Sequence, residues 1–161
     1  MQNSFVLHGD LCYAAARDKL ITQRGGYLVC VDGLSQGVFA QCPEEFRHLP
    51  QYDYADQLII PGLTDLHMHA PQFSFRSVGL DMELLDWLNT NAFPEEAKFA
   101  DLDYAQRAYS LFVEDLRRGA TTRAAVFATL HGPATRVLME LLEASGLCAF
   151  VGKVNMIGNG R

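Results

Sequence analysis

The sequence predicts an α/β fold in which a small sheet is followed by a parallel sheet whose strands alternate with helices. The first sixty of the 161 residues contain short apolar runs separated by Gly-rich turns and lack a helical period. After Pro61-Gly62, strand-like runs alternate with runs of helical period. Because such alternation implies right-handed crossovers, we expect the second part to form a parallel sheet. The two expected domains are residues 1–61 and 62–161.

The first part is expected to form a small antiparallel sheet. Gly33-Leu34-Ser35 is typical of a hairpin turn, and Pro43–His48 is the one candidate for a helical turn. The strands are predicted at Phe5–Leu11, Lys19–Thr22, Tyr27–Asp32, Gln36–Ala40 and Tyr52–Ile60.

The second part is expected to contain three strands and the helices between them. The strands are predicted at Leu63–His69, Thr121–Thr129 and Cys148–Met156. The last helix is expected to begin at Pro133, which suits the first helical position, and to close at Gly146.

Two further helices are expected between the first two of these strands. Asp103 is expected to open the longer one, because Gln106 lies three residues later as in a capping box. Arg117-Arg118 suits its C-terminal end, and Gly119 suits a left-handed residue after it. The shorter helix covers residues 82–91, with Asp81 as its cap, Leu84, Leu85 and Leu88 on one face, and Phe93-Pro94 as its end.

Charge, apolar run length and cysteine spacing exclude several classes of protein and of metal site. The formal net charge is −6, whereas a general nucleic-acid-binding protein needs a basic face. No apolar run approaches the ~20 residues of a membrane span, and Met1-Gln2-Asn3-Ser4 lacks the features of a secretion signal. Cysteine spacing excludes a cysteine-based zinc site. We therefore expect a cytoplasmic protein with four reduced thiols, at Cys12, Cys30, Cys42 and Cys148.

The strongest chemical signal is the run Pro61-Gly62-Leu63-Thr64-Asp65-Leu66-His67-Met68-His69. Because side chains alternate faces along a strand, His67 and His69 are expected to project to the same side and to share one cation. Asp65 is expected on that face too. Two imidazoles suit zinc or another borderline metal. A bare His-x-His is often incidental, but its position after Pro-Gly at the end of an apolar strand favours a metal site.

This run resembles the first barrel strand of the amidohydrolase superfamily. Those enzymes carry a metal-bearing, TIM-like (β/α)8 barrel beside a small β-sandwich. The resemblance implies that residues 1–61 form part of the sandwich and that residues 62–161 form the first βα units of an incomplete barrel. Since three strands cannot close a barrel, we expect the sequence to be the front part of a longer protein.

Several further segments are similar to the guanine deaminases of this superfamily, in the same order along the chain. The resemblance runs from about Leu58 to Met156. The segments are His69-Ala70-Pro71-Gln72-Phe73-Ser74-Phe75, Leu84-Leu85-Asp86-Trp87-Leu88, Phe93-Pro94-Glu95-Glu96, Gly119-Ala120-Thr121-Thr122, Phe127-Ala128-Thr129-Leu130-His131 and Val151-Gly152-Lys153-Val154.

The resemblance implies zinc-dependent hydrolysis of guanine to xanthine and ammonia, with one Zn²⁺ per active site. His67 and His69 would bind the metal, and His69, Ala70, Pro71 and Gln72 would line the purine pocket. The remaining metal ligands and the general acid/base glutamate are expected beyond residue 161, so no catalytic acid or base is assigned within this chain. The resemblance also implies a homodimer.

For each of three residues, the sequence is compatible with two roles. Asp65 either orients a ligand histidine or binds backbone near the strand start. Trp87 either stacks on a purine or packs in the core with Leu84, and core packing is the commoner role. His131 either lines the pocket at the C-terminal end of its strand or is an ordinary loop histidine, which we favour.

Two residues depart from the family pattern. Arg123 lies in a predicted buried strand where relatives carry a small or apolar residue, so it needs a partner carboxylate or an outward position. Ile157 stands where relatives have Asp.

Three other functions compete with guanine deamination. One is another aminohydrolase of the superfamily, acting on cytosine or a triazine, which the His-x-His strand supports equally well. The second is an inactive truncated fragment. The third is a purely structural α/β domain, which explains the alternation of elements but not the placement of His67 and His69.

Overall fold

The computed structural model describes residues 3–155 and divides into two compact units, with the boundary between Pro61 and Gly62. The first unit is a four-stranded sheet with strand order β3-β2-β1-β4. Its strands are β1 (Phe5–Ala16), β2 (Lys19–Val31), β3 (Leu34–Phe39) and β4 (Gln51–Ile59). Strands β1, β2 and β3 pair antiparallel, but β4 lies parallel to β1. The expectation of a wholly antiparallel sheet is therefore wrong, because the connection after β3 carries the chain to the opposite edge.

The strand β2 is continuous where the sequence predicted two strands. Gly25, with φ +53°, allows a bulge in the ladder, and its N–H donates to the Asp10 carboxylate at 2.8 Å. The chain therefore continues in the same strand after the glycines. The hairpin turn lies one residue earlier than predicted, at Asp32-Gly33. Both residues have positive φ, as a two-residue hairpin of this type requires. The candidate turn at Pro43–His48 contains a short 3-10 helix, Glu44–Phe46.

The second unit is a three-stranded sheet with order β5-β6-β7, and all its pairings are parallel. This confirms the predicted parallel sheet. The strands are β5 (Leu63–His69), β6 (Thr121–Phe127) and β7 (Cys148–Gly152). Met156, the predicted last residue of this strand, lies outside the described residues. So does Ile157, which differs from the Asp expected from the family pattern.

The region between β5 and the long helix is more broken than the sequence predicted. After a 3-10 turn at Ala70–Phe75, it contains helix α1 (Leu84–Trp87), a π-helical turn (Leu88–Ala92), helix α2 (Phe93–Ala97) and a 3-10 turn (Lys98–Ala100). Glu83, not Asp81, precedes α1, and Pro94 is the second residue of α2 instead of ending a helix. The backbone is helical from the π turn into α2, and the wider π turn directly before α2 accommodates a residue that has no N–H to donate. Leu84 and Leu85 are exposed, so the predicted apolar face is not buried.

The long helix α3 (Leu102–Arg118) is capped by Asp101, whose carboxylate accepts from the N–H groups of Asp103 and Tyr104 at 2.9 and 3.3 Å. The predicted opening at Asp103 is therefore wrong by two residues. Gln106 contacts Ser110 and forms no capping box.

The ends of the two long helices differ from each other. Gly119 follows α3 in an extended conformation, so the predicted left-handed end of that helix is wrong. Helix α4 (Gly132–Ser145) has Pro133 in its first turn and ends at Gly146 with φ +79°, as predicted.

The core of the second unit lies between one face of its sheet and helices α3 and α4. Buried residues from the sheet meet buried residues from both helices, and Met68 and Val151 pack against them. These buried residues include Ala124, Val126, Tyr109, Phe112, Leu138 and Leu142. No helix among residues 3–155 is long and apolar enough to span a bilayer.

Candidate metal centre

A bulge interrupts β5 at Leu66 and His67. Asp65 pairs with Ala124 and Met68 with Val126, so two residues, Leu66 and His67, stand opposite one residue of β6. An extra residue changes the phase of the side-chain alternation. Asp65 and Met68 therefore share the helix-covered face of the sheet. The prediction that Asp65 shares the face of the histidines is wrong, and the bulge is the reason.

The other face of the sheet is not covered by α3 or α4. It carries large apolar side chains that are exposed in this chain, with Leu66 77% and Phe150 79% exposed. Arg123 is also exposed, and it forms no ion pair with the residues that the structure describes.

His67 and His69 lie together on this uncovered face. Their Nε2 atoms are 3.2 Å apart, and the ring centroids are separated by 5.1 Å. The His69 ring stacks on Phe127 at 4.8 Å, which restricts its orientation. Burial and the nearby His67 lower the pKa of His69. A neutral ring keeps the nitrogen lone pair that a metal ligand needs.

Asp65 supports this part of the strand through the backbone. Its carboxylate accepts a hydrogen bond of 2.9 Å from the N–H of His67. Of the two roles left open by the sequence, the structure therefore shows the backbone contact. This bond occupies an N–H that the bulge leaves outside the regular ladder.

The imidazole pair fits a zinc ion in donor type but supplies too few ligands for a complete site. Zinc takes histidine nitrogen readily and usually binds three or four protein ligands. Within residues 3–155 there is no group of three or more His, Cys, Asp or Glu side chains that could hold a metal ion. Further donors would therefore have to come from outside this set of residues.

Gln72 borders the same cavity as the two histidines. The 3-10 turn at Ala70–Phe75 follows β5 directly and places Gln72, half-buried, in the wall of a cavity of about 470 Å3. The rest of the wall includes Phe73, Arg76 and Trp87, together with Met68 of β5 and Phe112 and Asp115 of α3. The cavity therefore extends around the β5 edge of the sheet, from the face of the histidines to the helix-covered face. Ala70 and Pro71 are buried, and they line a neighbouring cavity beside Phe99.

Two side-chain contacts that hold this turn were not predicted from the sequence. Ser74 donates to Glu95 at 2.9 Å, and Arg76 pairs with Asp115 at 3.0 Å. The partners in each pair are 21 and 39 residues apart in sequence. No local pattern joins residues at such separations, so the contacts emerge only from the fold.

Trp87 and His131 take different positions relative to this cavity. The Trp87 indole N–H donates to the Val78 carbonyl at 2.8 Å, and its ring lies in the cavity wall 5.5 Å from Phe75. Since Leu84 is exposed, the predicted core packing of these two residues is wrong. His131 precedes α4 and is absent from the wall of that cavity, and its carbonyl accepts from the Thr135 N–H at 3.0 Å. Its Nε2 atom is buried and has no hydrogen-bond partner among residues 3–155.

Comparison with known proteins gives these features a context. The guanine deaminase of Rattus norvegicus is 40% identical over 114 residues, which are 71% of this chain and 24% of that protein. The crystal structure of guanine deaminase from C. acetobutylicum with bound guanine superposes with a TM-score of 0.91 and 42% identity. The match covers 98% of this chain and 38% of that one.

A more distant structure shares the fold. A mutant atrazine chlorohydrolase from Arthrobacter aurescens TC1, complexed with zinc and atraton, superposes with a TM-score of 0.75 at 11% identity. The match covers 92% of this chain and 35% of that one. The chain thus spans well under half the length of the proteins it resembles. The model of the Amidohydrolase family matches residues 58–160, which include both histidines. The chain therefore belongs to the amidohydrolase family.

Proposed function

We propose that this chain forms the first part of a zinc-dependent enzyme that hydrolyses guanine to xanthine and ammonia. One observation carries the proposal. Two imidazoles and an amide side chain border one cavity, in a chain that superposes over 98% of its length on a guanine deaminase with bound guanine. Because the chain spans 24% of the rat relative, the proposed activity belongs to the complete gene product.

The proposed architecture follows from the second unit. A parallel sheet with helices on one face and uncovered apolar side chains on the other is what the opening βα units of a barrel require. We infer that residues 62–161 begin a (β/α)8 barrel and that residues 1–61 contribute to a small β-sandwich. The histidines of β5 then lie at the C-terminal end of a barrel strand, where active sites of this fold are built.

His67 and His69 would hold one zinc ion per active site, with the other ligands supplied from outside this chain. When bound, the zinc would act as a Lewis acid that lowers the pKa of water to about 7. The lowered pKa of His69 keeps its ring neutral and available to the metal. The contact of Phe127 with the His69 ring limits rotation of that ring.

Of the segment from His69 to Gln72, the substrate would contact His69 and Gln72, which border the cavity, while the buried Ala70 and Pro71 would support them from behind. An amide both donates and accepts hydrogen bonds, and the edge of guanine presents donors and acceptors together. Gln72 is therefore suited to bind the base without taking part in proton transfer. The general acid/base group is assigned to the part of the protein beyond this chain.

For the complete protein we propose a cytoplasmic homodimer with a purine substrate and no nucleic-acid partner. Sedimentation analysis of the purified gene product tests the dimer.

The histidines provide the direct test of the metal site. In the complete gene product, His67→Ala and His69→Ala should remove the bound zinc and lower guanine turnover by a factor of at least about 10³, because the site loses a ligand. Metal analysis and ammonia release measure the two effects. His48→Ala, which changes an exposed histidine of the first unit, is the control and should leave both unchanged. Zinc retained by the variant that carries both His67→Ala and His69→Ala would refute the assignment.

Gln72 tests the choice of substrate. Gln72→Ala should raise the KM for guanine about tenfold and leave the zinc content unchanged, because it removes hydrogen bonds to the base only. Assays with guanine, cytosine, adenosine and triazines distinguish this proposal from the other aminohydrolases. Turnover of cytosine or a triazine in preference to guanine would contradict it.

A further inference from the structure

Gln72 lies in a short turn whose two ends are held in different ways. At its start, Ala70 and Pro71 are buried in the core. Beyond its end, Arg76 pairs with Asp115 at 3.0 Å and lies over the Phe73 ring at 4.2 Å. A 3-10 turn has poorer internal hydrogen bonding than an α-helix. Its conformation therefore depends on contacts outside the turn.

Ser74, two residues after Gln72, makes a side-chain hydrogen bond from the turn itself. Its hydroxyl donates to Glu95 Oε1 at 2.9 Å. Glu95 belongs to α2, and its side chain is only 12% exposed. The same carboxylate accepts from the Tyr104 hydroxyl at Oε1 and from Lys98 Nζ at 2.6 Å at Oε2.

Three donors from three segments thus converge on one carboxylate. Burial alone raises the pKa of Glu95, but the hydrogen bonds from Lys98, Tyr104 and Ser74 outweigh burial and lower it. The group stays ionised at neutral pH and accepts charge-assisted hydrogen bonds, which are stronger than neutral ones. Burial and the adjacent Glu95 raise the pKa of Tyr104, so its hydroxyl remains a donor.

We propose that Glu95 is a positioning residue that holds Gln72 against guanine by fixing Ser74 and, through it, the Ala70–Phe75 turn. This role rests on the proposed function for the identity of the ligand. Glu95 is not in the wall of the cavity that contains the histidines, so it acts through the turn and not on the substrate. If the turn is already ordered before guanine binds, binding does not lose the conformational entropy of ordering the turn.

The test compares four variants of the complete, zinc-loaded gene product. Glu95→Ala should raise the KM for guanine about tenfold and leave kcat within about threefold and the zinc content unchanged. Ser74→Ala, a milder change, should shift KM in the same direction. Glu95→Gln keeps an oxygen acceptor for Ser74 and should restore most of the affinity. Glu140→Ala, an exposed glutamate of α4, is the matched control and should not change KM.

A second measurement separates this inference from the proposed function. Hydrogen exchange of the backbone amides across residues 70–76 should be faster in Glu95→Ala and in Ser74→Ala than in the wild type. The variant that carries both substitutions should exchange no faster than Glu95→Ala, because both remove the same contact. Unchanged exchange in Glu95→Ala, or an unchanged KM with an active wild-type enzyme, would overturn the positioning role. Equal losses of kcat and zinc would also overturn it, because they indicate general damage. A wild-type protein without guanine turnover would overturn the proposed function, while the exchange data would still decide whether Glu95 fixes the turn.

Discussion

Glu96 follows Glu95, the positioning residue proposed above, but its surroundings shift its pKa in the opposite direction. It is 5% exposed, and its Oε2 atom has no hydrogen-bond partner among residues 3–155. The nearby Tyr109 hydroxyl is also buried. Burial raises the pKa of Glu96, and burial together with the charge of Glu96 raises that of Tyr109. The pKa values of these adjacent glutamates are therefore shifted in opposite directions, because Glu95 has three hydrogen-bond donors and Glu96 has none among residues 3–155.

This environment predicts a pH-dependent effect of Glu96→Gln. The pKa of Glu96 in the folded state lies above its ordinary value of 4.5. Its contribution to stability is thus fully present below pH 4.5 and is lost as pH rises through the folded-state pKa. Glu96→Gln should raise the urea midpoint at pH 7 and lose this advantage below pH 4.5. The exposed Glu140→Gln is the control, and a pH-independent effect of Glu96→Gln would contradict the prediction.

Elements of regular structure followed the sequence pattern well wherever one periodicity extended over several turns. Helices α3 and α4 and the parallel strands were predicted because their apolar residues face one common core. Residues 70–100 were predicted poorly, because 3-10, α and π turns succeed one another there and no single period describes them. The cap of α3 was misplaced because the spacing of Asp103 and Gln106 matches a capping box in sequence, whereas the backbone geometry selects Asp101.

The cap of α3 gives a matched pair of variants. Asp101→Ala should lower the free energy of unfolding by about 1 kcal/mol, because two N–H groups of the first turn lose their acceptor. Asp103→Ala should cost less, about 0.5 kcal/mol, because that carboxylate interacts only with the helix dipole. Urea denaturation measures both values. An equal or larger loss for Asp103→Ala would mean that the cap is not at Asp101.

At the scale of the whole molecule, the proposed function divides the site between this chain and residues outside it. The sequence predicted that His67 and His69 share a side, and the structure confirms it. It could not predict the bulge, because the pairing register depends on β6, more than fifty residues away. Nor could it predict the contacts of Gln72's turn with α2 and α3, which depend on how the helices pack.

A divided site predicts weak metal binding by the 161-residue chain alone. With two imidazoles and no third donor among the described residues, the chain should bind zinc much more weakly than the complete gene product and should not deaminate guanine. Calorimetric titration with zinc and an ammonia-release assay measure these properties. Robust activity of the isolated chain at stoichiometric zinc would contradict the expected need for further ligands.

The bulge in β5 also determines which changes in chain length this strand can accept. Deleting Leu66 would leave Met68 opposite Val126 and His69 opposite Phe127, and would simply make the ladder regular. Deleting Met68 instead would move a histidine into a position that faces the helices, because every side chain in a strand changes sides when the count changes by one. Among homologous sequences, a one-residue gap in this strand is therefore compatible with a metal site before His67 but not between the two histidines.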